Sequence, residues 1–306
     1  MQSSDASMID IRQAQGWQKY LEILGCKCIR TASEILVALV QLPFCAAAKI
    51  QRPKVFTATD LEEVEYICKQ NNALLVKLEP SVDQNLSVLE TSGWEKNRSP
   101  FLPPSTIFID LKKSEKELWN NLASNAKYSI KAANKEDLRI EIIKNPGQDY
   151  LRDFYKISKE TGKHKRFYIQ GFEDLTAKAL AFGDETYLHF VFDKSDNIIS
   201  GNFYLGFDSN VWYIHGAMTT KNRRSNAGHK LMWESILHFK KLGYTILDLE
   251  GKDDARFPAF TKNWGGFSFF KEKFGGKVVE FPQPYIKIYN PLLKIMTKIA
   301  GDTIAI

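Results

Sequence analysis

The stretch 187-YLHFVFDKSDNIISGNFYLGFDSNVWYIHGAM-218 decides the architecture. Its apolar and aromatic residues fall into three runs of strand length, and turn-forming residues at Asp193–Asn197 and Phe207–Asn210 separate them. Directly after it, 228-GHKLMWESILHFKKLG-243 spaces Leu231, Ser235 or Ile236, and Phe239 for one face of a long helix. The run 245-TILDLE-250 then reads as a further strand. Strands, helix, strand is the order.

Working outward toward the N-terminus, the same order occurs once more. The run 35-ILVALVQLPFCAAAKI-50 reads as two buried strands joined near Pro43. Asp60-Leu-Glu-Glu63 has the form of a capping box and opens the helix LEEVEYICKQ, with Leu61, Val64 and Ile67 or Cys68 on one face. A short strand, 74-LLVKLEP-80, and a helix ending near Gly93-Trp94 follow. No residue-level repeat accompanies the repeated order, so a duplicated architecture rests on element order alone. The connecting segment predicts a helix from the capping box Ser114-Glu-Lys-Glu117 to about Glu136, and a further helical region over 149–162. Basic and aromatic residues in 163-KHKRFYIQGF-172 read as a loop, and 290-NPLLKIMTKIAGD-302 as a short helix with proline at its first position. The apolar residues of that last helix suit either packing on the body or peripheral contact with a membrane. The fold class is therefore α/β with mixed sheets in two tandem subdomains. The expected division is 1–145, carrying the linking helix of about 115–136, and 146–306.

Composition sets the bounds. The 306 residues are 44% apolar and 25% charged, which excludes disorder and allows a sizeable core. A net charge of +6 is compatible with an anionic partner, though many enzymes of this charge have none. Gln41 and Pro43 break the longest apolar run, so no transmembrane helix is expected. The opening MQSSDASMID lacks the basic and apolar regions of a secretory signal. Cys26, Cys28, Cys45 and Cys68 form no CxxC pair, and the five histidines form no HExxH. A cytoplasmic protein with free thiols and no bound metal is expected.

The strand–helix–strand order is shared with acyltransferases of the GNAT type, which carry a Q/R-x-x-G-x-G/A loop for the pyrophosphate of coenzyme A. Here Arg223-Arg-Ser-Asn226-Ala-Gly228 offers the arginine and the last glycine, but Asn226 stands in the place of a glycine. A wider match covers most of the chain: 16-GWQKY-20, 76-VKLEP-80, 118-LWNNLASNAKYSIKAANKEDLRI-140, 212-WYIHGAM-218, 247-LDLEG-251, 269-FFKEKFGGKVVEF-281 and 290-NPLL-293. In this order the motifs resemble the Fem family, aminoacyl-tRNA-dependent transferases that add amino acids to peptidoglycan precursors. That family is built from two GNAT-like subdomains. No heptads for a coiled-coil arm are present, so the resemblance is to the arm-less form.

The resemblance implies attack of an amine on an aminoacyl ester, giving an amide. Phe270 and Lys271 correspond to the family's catalytic centre, with Lys271 facing the oxyanion and Phe270 and Phe274 desolvating it. Without the resemblance, Lys271 reads equally as a lysine lying over aromatics at a strand start. Glu79 corresponds to an aspartate of the family and is a candidate general base or amine-orienting group, or else an exposed acid at a strand end. Lys19 corresponds to a precursor-contacting lysine, and Tyr213 and His215 to aromatic positions lining the same cleft. Gln170 and Asp174 occupy positions where the family has an arginine and a tyrosine that hold the nucleotide diphosphate, and they cannot form a cationic clamp. Glu250 stands where the family prefers glycine. The expected acceptor is thus a nucleotide-linked muropeptide, a lipid-linked one, or a different amine. Lys127, at a position where the family has arginine, recurs with Lys131 and Lys135 as a stripe. With Lys163, Lys165, Arg166 and Arg223 it is a candidate seat for tRNA phosphates, or a solvated face. The expected partners are aminoacyl-tRNA as donor, with no other cofactor, and a peptidoglycan precursor, for a monomeric enzyme. The alternative is an acyl-coenzyme A-dependent N-acyltransferase.

Overall fold

A computed structural model describes residues 8–82, 84–165, 169–222 and 225–300. In chain order its elements begin with α1 (Gln15–Ile23), β1 (Lys27–Arg30), β2 (Leu36–Leu42), β3 (Cys45–Gln51), α2 (Ala58–Gln70), β4 (Ala73–Glu79), α3 (Ser87–Thr91) and β5 (Glu95–Lys96). Next come β6 (Ser105–Asp110), α4 (Glu115–Asn121), α5 (Ser124–Ala133), β7 (Arg139–Lys144), α6 (Gln148–Lys165), α7 (Phe172–Phe182) and β8 (Thr186–Phe192). The chain ends with β9 (Ile198–Phe207), β10 (Asn210–Met218), α8 (Ala227–Lys241), β11 (Ile246–Asp248), α9 (Gly265–Glu272), β12 (Lys277–Glu280), β13 (Tyr285–Ile288) and α10 (Pro291–Ala300).

Two compact units result: Met1–Pro104 with Asp254–Thr261 and Glu280–Ile306, and Ser105–Asp253 with Lys262–Val279. The boundary differs from the expected one at 145 because strand pairing overrides chain order. β6 pairs antiparallel with β11, Asp110 opposite Ile246, so the chain from Ser105 to Asp253 belongs to the second unit. Late in the chain, β13 pairs antiparallel with β4 and returns to the first.

The first unit is a six-stranded sheet in the order β1-β2-β3-β4-β13-β5. The expected hairpin is β2–β3, closed by Pro43 and a left-handed Phe44 between the paired residues Leu42 and Cys45. α2 carries the chain across so that β3 and β4 run parallel. Its cap is Thr57 rather than Asp60. The Thr57 hydroxyl accepts from the Asp60 amide, and the Asp60 carboxylate accepts from the Thr57 amide in return. Leu61, Val64, Ile67 and Cys68 are all buried against Val37, Leu39, Ile50, Val76 and Leu78.

The second unit is a seven-stranded sheet in the order β12-β6-β11-β10-β9-β8-β7. The 187–218 stretch forms β8, β9 and β10, an antiparallel meander. Its first turn is fixed by the Asp193 carboxylate, which accepts from the amides of Ser195 and Asn197 at 2.9 and 3.0 Å. α8 lies on the sheet with Leu231, Ser235, Ile236 and Phe239 all buried. The linking helix is two helices: Leu122 and Ala123 are extended, which ends α4 and restarts the chain as α5. Leu118, Leu122, Ala126 and Ile130 still join one core with Val211, Phe239 and Leu247. Among the described residues there is no coiled-coil arm, and no helix is long and apolar enough to cross a membrane.

Candidate functional site

Two strand facts prepare the place where Lys271 lies. β10 and β11 run parallel but pair only from Asn210–Ile246 to Trp212–Asp248, whereas β10 continues to Met218. Immediately past β11 the backbone is left-handed at both Glu250 and Gly251, with φ of 50° and 59°. That conformation costs an L-residue such as Glu250 about 1 kcal/mol and a glycine little. The Glu250 and Gly251 carbonyls both accept from the Lys271 ammonium, Gly251 O at 2.9 Å. Lys271 therefore sits where the two strands cease to pair.

The lysine is in the last turn of α9, not at a strand start. Helical spacing changes which aromatics surround it. Phe267, one turn earlier, has its ring centre 4.7 Å from Nζ, and Tyr213 on β10 has its ring centre at 5.5 Å. Phe270 and Phe274, expected to desolvate it, pack on each other and on His229. The chain leaves α9 through Gly275 and Gly276, both left-handed; a Cβ on Gly276 would lie 2.6 Å from the Phe108 carbonyl oxygen. β12 then alternates, with Val279 buried and Val278 exposed.

Burial lowers the Lys271 pKa to about 8, opposed by the carboxylates of Glu250 and Asp248. Asp248 is itself buried and accepts from the Thr106 hydroxyl and, at 2.7 Å, from the Glu250 amide. An ammonium has three donors. Two go to carbonyls, and the third meets no protein acceptor among the described residues. The arrangement can present one cationic N–H, backed by aromatic rings, to a negative charge forming beside it.

Tyr213 and His215 flank this place on β10. A bulge between them breaks the register with β9, Tyr213 pairing Tyr204 and His215 pairing Phe203. Tyr213 lies over Gly216, where a Cβ would fall 1.7 Å from the phenol oxygen. His215 stacks on Phe203 at 6.4 Å. Its pKa is lowered to about 3, first by burial and then by the positive charge of Lys178, so the ring is neutral.

Lys178 was not foreseen. It sits on α7, buried, and its ammonium is held by the Asp174 carboxylate one turn back and by Gln170 Oε1 at 3.1 Å. Gln170 and Asp174 are therefore brought together on a lysine of this chain. The i, i+4 spacing of Asp174 and Lys178 was the signal available in the sequence; Gln170 precedes the helix and joins them only in the fold.

Glu79 belongs to the first unit and Lys271 to the second. Glu79 is not an exposed acid. It is buried at the end of β4, and its carboxylate accepts from the amides of Phe101 at 2.5 Å and Leu102 at 3.2 and 3.1 Å. Burial raises its pKa to about 6 against those hydrogen bonds and the charges of Arg52 and Lys77. In this setting it braces the 101–102 turn.

Lys19 is exposed on α1. Lys127 caps α4, donating to the Asn120 carbonyl at 3.0 Å, while Lys131 is exposed with its ammonium 6.0 Å from the Trp119 ring centre. Lys135 lies beyond the end of α5, so the stripe comprises Lys127 and Lys131 only. Lys163 is exposed on α6; Arg166 and Arg223 lie outside the described residues. Among the described residues no group of three or more His, Cys, Asp or Glu side chains is placed to hold a metal.

No protein-family model and no curated protein sequence matches the chain. Solved structures do. Over 94% of this chain and 94% of the other, it superposes on the crystal structure of FemX with a TM-score of 0.79 at 16% identity. The chain has the fold of FemX. The FemX-like fold extends to the C-terminal domain of a putative lysylphosphatidylglycerol synthetase from Agrobacterium fabrum. There the TM-score is 0.64 at 13% identity, over 97% of this chain and 96% of that one. L-PGS from Bacillus licheniformis matches with a TM-score of 0.62 at 12% identity, over 95% of each chain.

Proposed function

We propose that the protein is an aminoacyltransferase that moves an aminoacyl group from aminoacyl-tRNA to an amine of a peptidoglycan precursor, on the cytoplasmic side of cell-wall synthesis. The observation that carries this reading is the Lys271 ammonium, buried at the parting of β10 and β11 with one donor left over. The FemX fold and two neighbours named for lysylphosphatidylglycerol synthesis support transfer of an aminoacyl group as the shared chemistry.

In this reading the acceptor amine attacks the ester carbonyl carbon, the carbonyl oxygen takes up negative charge, and the spare N–H of Lys271 binds it. Collapse of the intermediate expels the tRNA ribose oxygen, and the amine's proton leaves with it or passes to solvent. Phe267 and Tyr213 keep water from the ammonium, strengthening its field. Lys127 and Lys131, with Arg166 and Arg223, contribute positive charge for tRNA phosphates. Asp174 and Gln170 are engaged by Lys178. This favours a lipid-linked acceptor over one bearing a nucleotide diphosphate. The protein acts as a monomer and needs no cofactor beyond the charged tRNA.

The test uses purified protein, a pool of radiolabelled aminoacyl-tRNAs, and lipid-linked or nucleotide-linked muropeptides. Label is expected on a muropeptide with wild type and not with Lys271→Ala. No transfer to either acceptor, together with a large thermal stabilisation by acyl-coenzyme A, would replace this reading with coenzyme A-dependent acylation.

A further inference from the structure

One end of the first unit's sheet displays apolar side chains that no core explains. The strand registers locate that end. β1 begins there, since Lys27 pairs Leu39 near the finish of β2; β3 begins there, and β4 begins beside it, Ala46 opposite Ala73. β13 finishes there, because the amides of Tyr289 and Asn290 donate to the Leu74 carbonyl at 2.8 and 3.1 Å. Three separate segments thus emerge side by side: the α1–β1 turn, the β2–β3 turn and α10.

Each carries exposed apolar residues. Leu24 precedes β1 and is 45% exposed; Leu42 and Phe44 form the hairpin tip, at 46% and 100%. On α10, Leu292, Ile295 and Met296 are 72%, 57% and 61% exposed, and their spacing puts them on one helical face. Lys294, at a position away from that face, reaches Glu95 at 3.5 Å. Leu293 is the part-buried residue among 291–296, so the helix rests on Leu293 and turns the stripe of Leu292, Ile295 and Met296 outward.

Charge selects the occupant. The segments 23–29, 40–46 and 69–74 contain Lys27 and Lys69 and no aspartate or glutamate, while on α10 Lys294 is neutralised by Glu95. Lys27 donates to the Asn71 side chain at 2.7 Å, so its cation lies beside the hairpin tip, where Gln41, Leu42, Phe44, Asn71 and Asn72 line one depression. A protein partner would need a complementary pocket for each projecting side chain. A bilayer accepts projecting apolar groups at any lateral position, and anionic headgroups meet the lysines around them.

We infer that this end of the first unit is a peripheral docking surface for an anionic lipid bilayer, with Phe44 and the outer face of α10 entering the headgroup boundary. Docking there brings the protein to a lipid-borne acceptor, but the inference stands on the surface itself and needs no transfer activity.

Flotation of the full chain with muropeptide-free vesicles tests it. Wild type is expected to float with mixed phosphatidylglycerol–phosphatidylcholine vesicles at low salt, and weakly with phosphatidylcholine alone. Phe44→Ser and Ile295→Ser should each lower the bound fraction by about tenfold, and Lys69→Glu by several-fold. Leu180→Ser, which removes an exposed apolar residue of the second unit, should leave binding unchanged. Circular dichroism checks that each variant is folded. Absence of flotation with the anionic vesicles, or an equal loss in Leu180→Ser, overturns the inference. So does a concentration-dependent dimer in sedimentation velocity that Phe44→Ser dissociates, which would assign the surface to a second copy of this chain.

Discussion

Two buried ionisable groups, one in each unit, invite comparison. The Lys271 ammonium, reaching from α9, is held just past the end of β11, and Glu79 ends β4; burial drives both toward neutrality, the lysine down to about 8 and the carboxylate up to about 6. What surrounds them differs. Lys271 is held by two neutral backbone carbonyls and keeps a donor in hand. Glu79 has its oxygens taken by backbone amides, with Arg52 and Lys77 contributing opposite charge. The same desolvation thus leaves one group poised for an incoming charge and turns the other into a brace. Whether a buried charge acts or only supports depends on how many of its hydrogen-bonding positions the backbone has already filled.

Substitutions at four positions sharpen or break this contrast. The largest effect is expected at Lys271: Lys271→Ala should lower kcat/KM for transfer by about a thousandfold, the scale of losing an oxyanion donor. Lys271→Met should be equally inactive and fold normally, since methionine fills the site with no charge to desolvate. Next, Glu79→Ala strands the Phe101 and Leu102 amides and should cost about 2 kcal/mol in urea unfolding. Glu79→Gln, which keeps an acceptor, should retain transfer within about threefold. A much larger loss of turnover at normal stability in Glu79→Gln would break the contrast and restore a catalytic carboxylate.

The third is Gly216→Ala. Its Cβ would meet the Tyr213 hydroxyl, so Tyr213 must leave its place beside Lys271. About a tenfold fall in kcat is expected, with a stability loss of about 1–3 kcal/mol from overpacking. The smallest effect concerns pH. If the cation acts, activity should decline as pH rises through about 8, the Lys271 pKa, and Lys271→Arg should lack that limb. Glu250→Gln removes the larger of the two negative charges supporting the ammonium and should move the limb to lower pH by less than about one unit.

Stability should follow pH with opposite signs at the two groups. Between about 8 and 10.5 the unfolded chain holds the Lys271 proton more tightly than the folded one, so this residue makes stability rise with pH in that window. Between 4.5 and about 6 the folded chain holds the Glu79 proton more tightly, so this residue makes stability fall as pH rises there. Comparing urea midpoints of Lys271→Met and Glu79→Gln with wild type across pH isolates each contribution.

Much of the fold was legible from short-range pattern. The three runs of 187–218, the face of α8 and the Ser114 capping box depend on residues within a turn or two of one another, and each formed where expected. Short or polar elements were missed. β7 alternates weakly with its burial half-exposed, and the 163–172 stretch, expected as a loop, begins in α6, which runs to Lys165, and ends on the first residue of α7, Phe172. The site was legible in part. The Phe270-Lys271 pair and Tyr213 were singled out, but Phe267, not Phe270, shares the lysine's helical face.

By itself, then, the sequence determined the order of the long strands and helices and the repeated architecture, because periodicity, caps and turns are local, whereas Lys271 was picked out by the resemblance to the Fem family and not by local pattern. Only the tertiary structure decided that β6 belongs to the second sheet and β13 to the first, since strand partners are chosen across the chain by register and burial. It also decided that the Glu250 and Gly251 carbonyls, some twenty positions before Lys271, turn toward its ammonium. And it joined Lys178 to Asp174 and Gln170 beneath His215. Those contacts arise where a strand pairing stops and the backbone turns left-handed, and no single segment carries the pattern that would announce them.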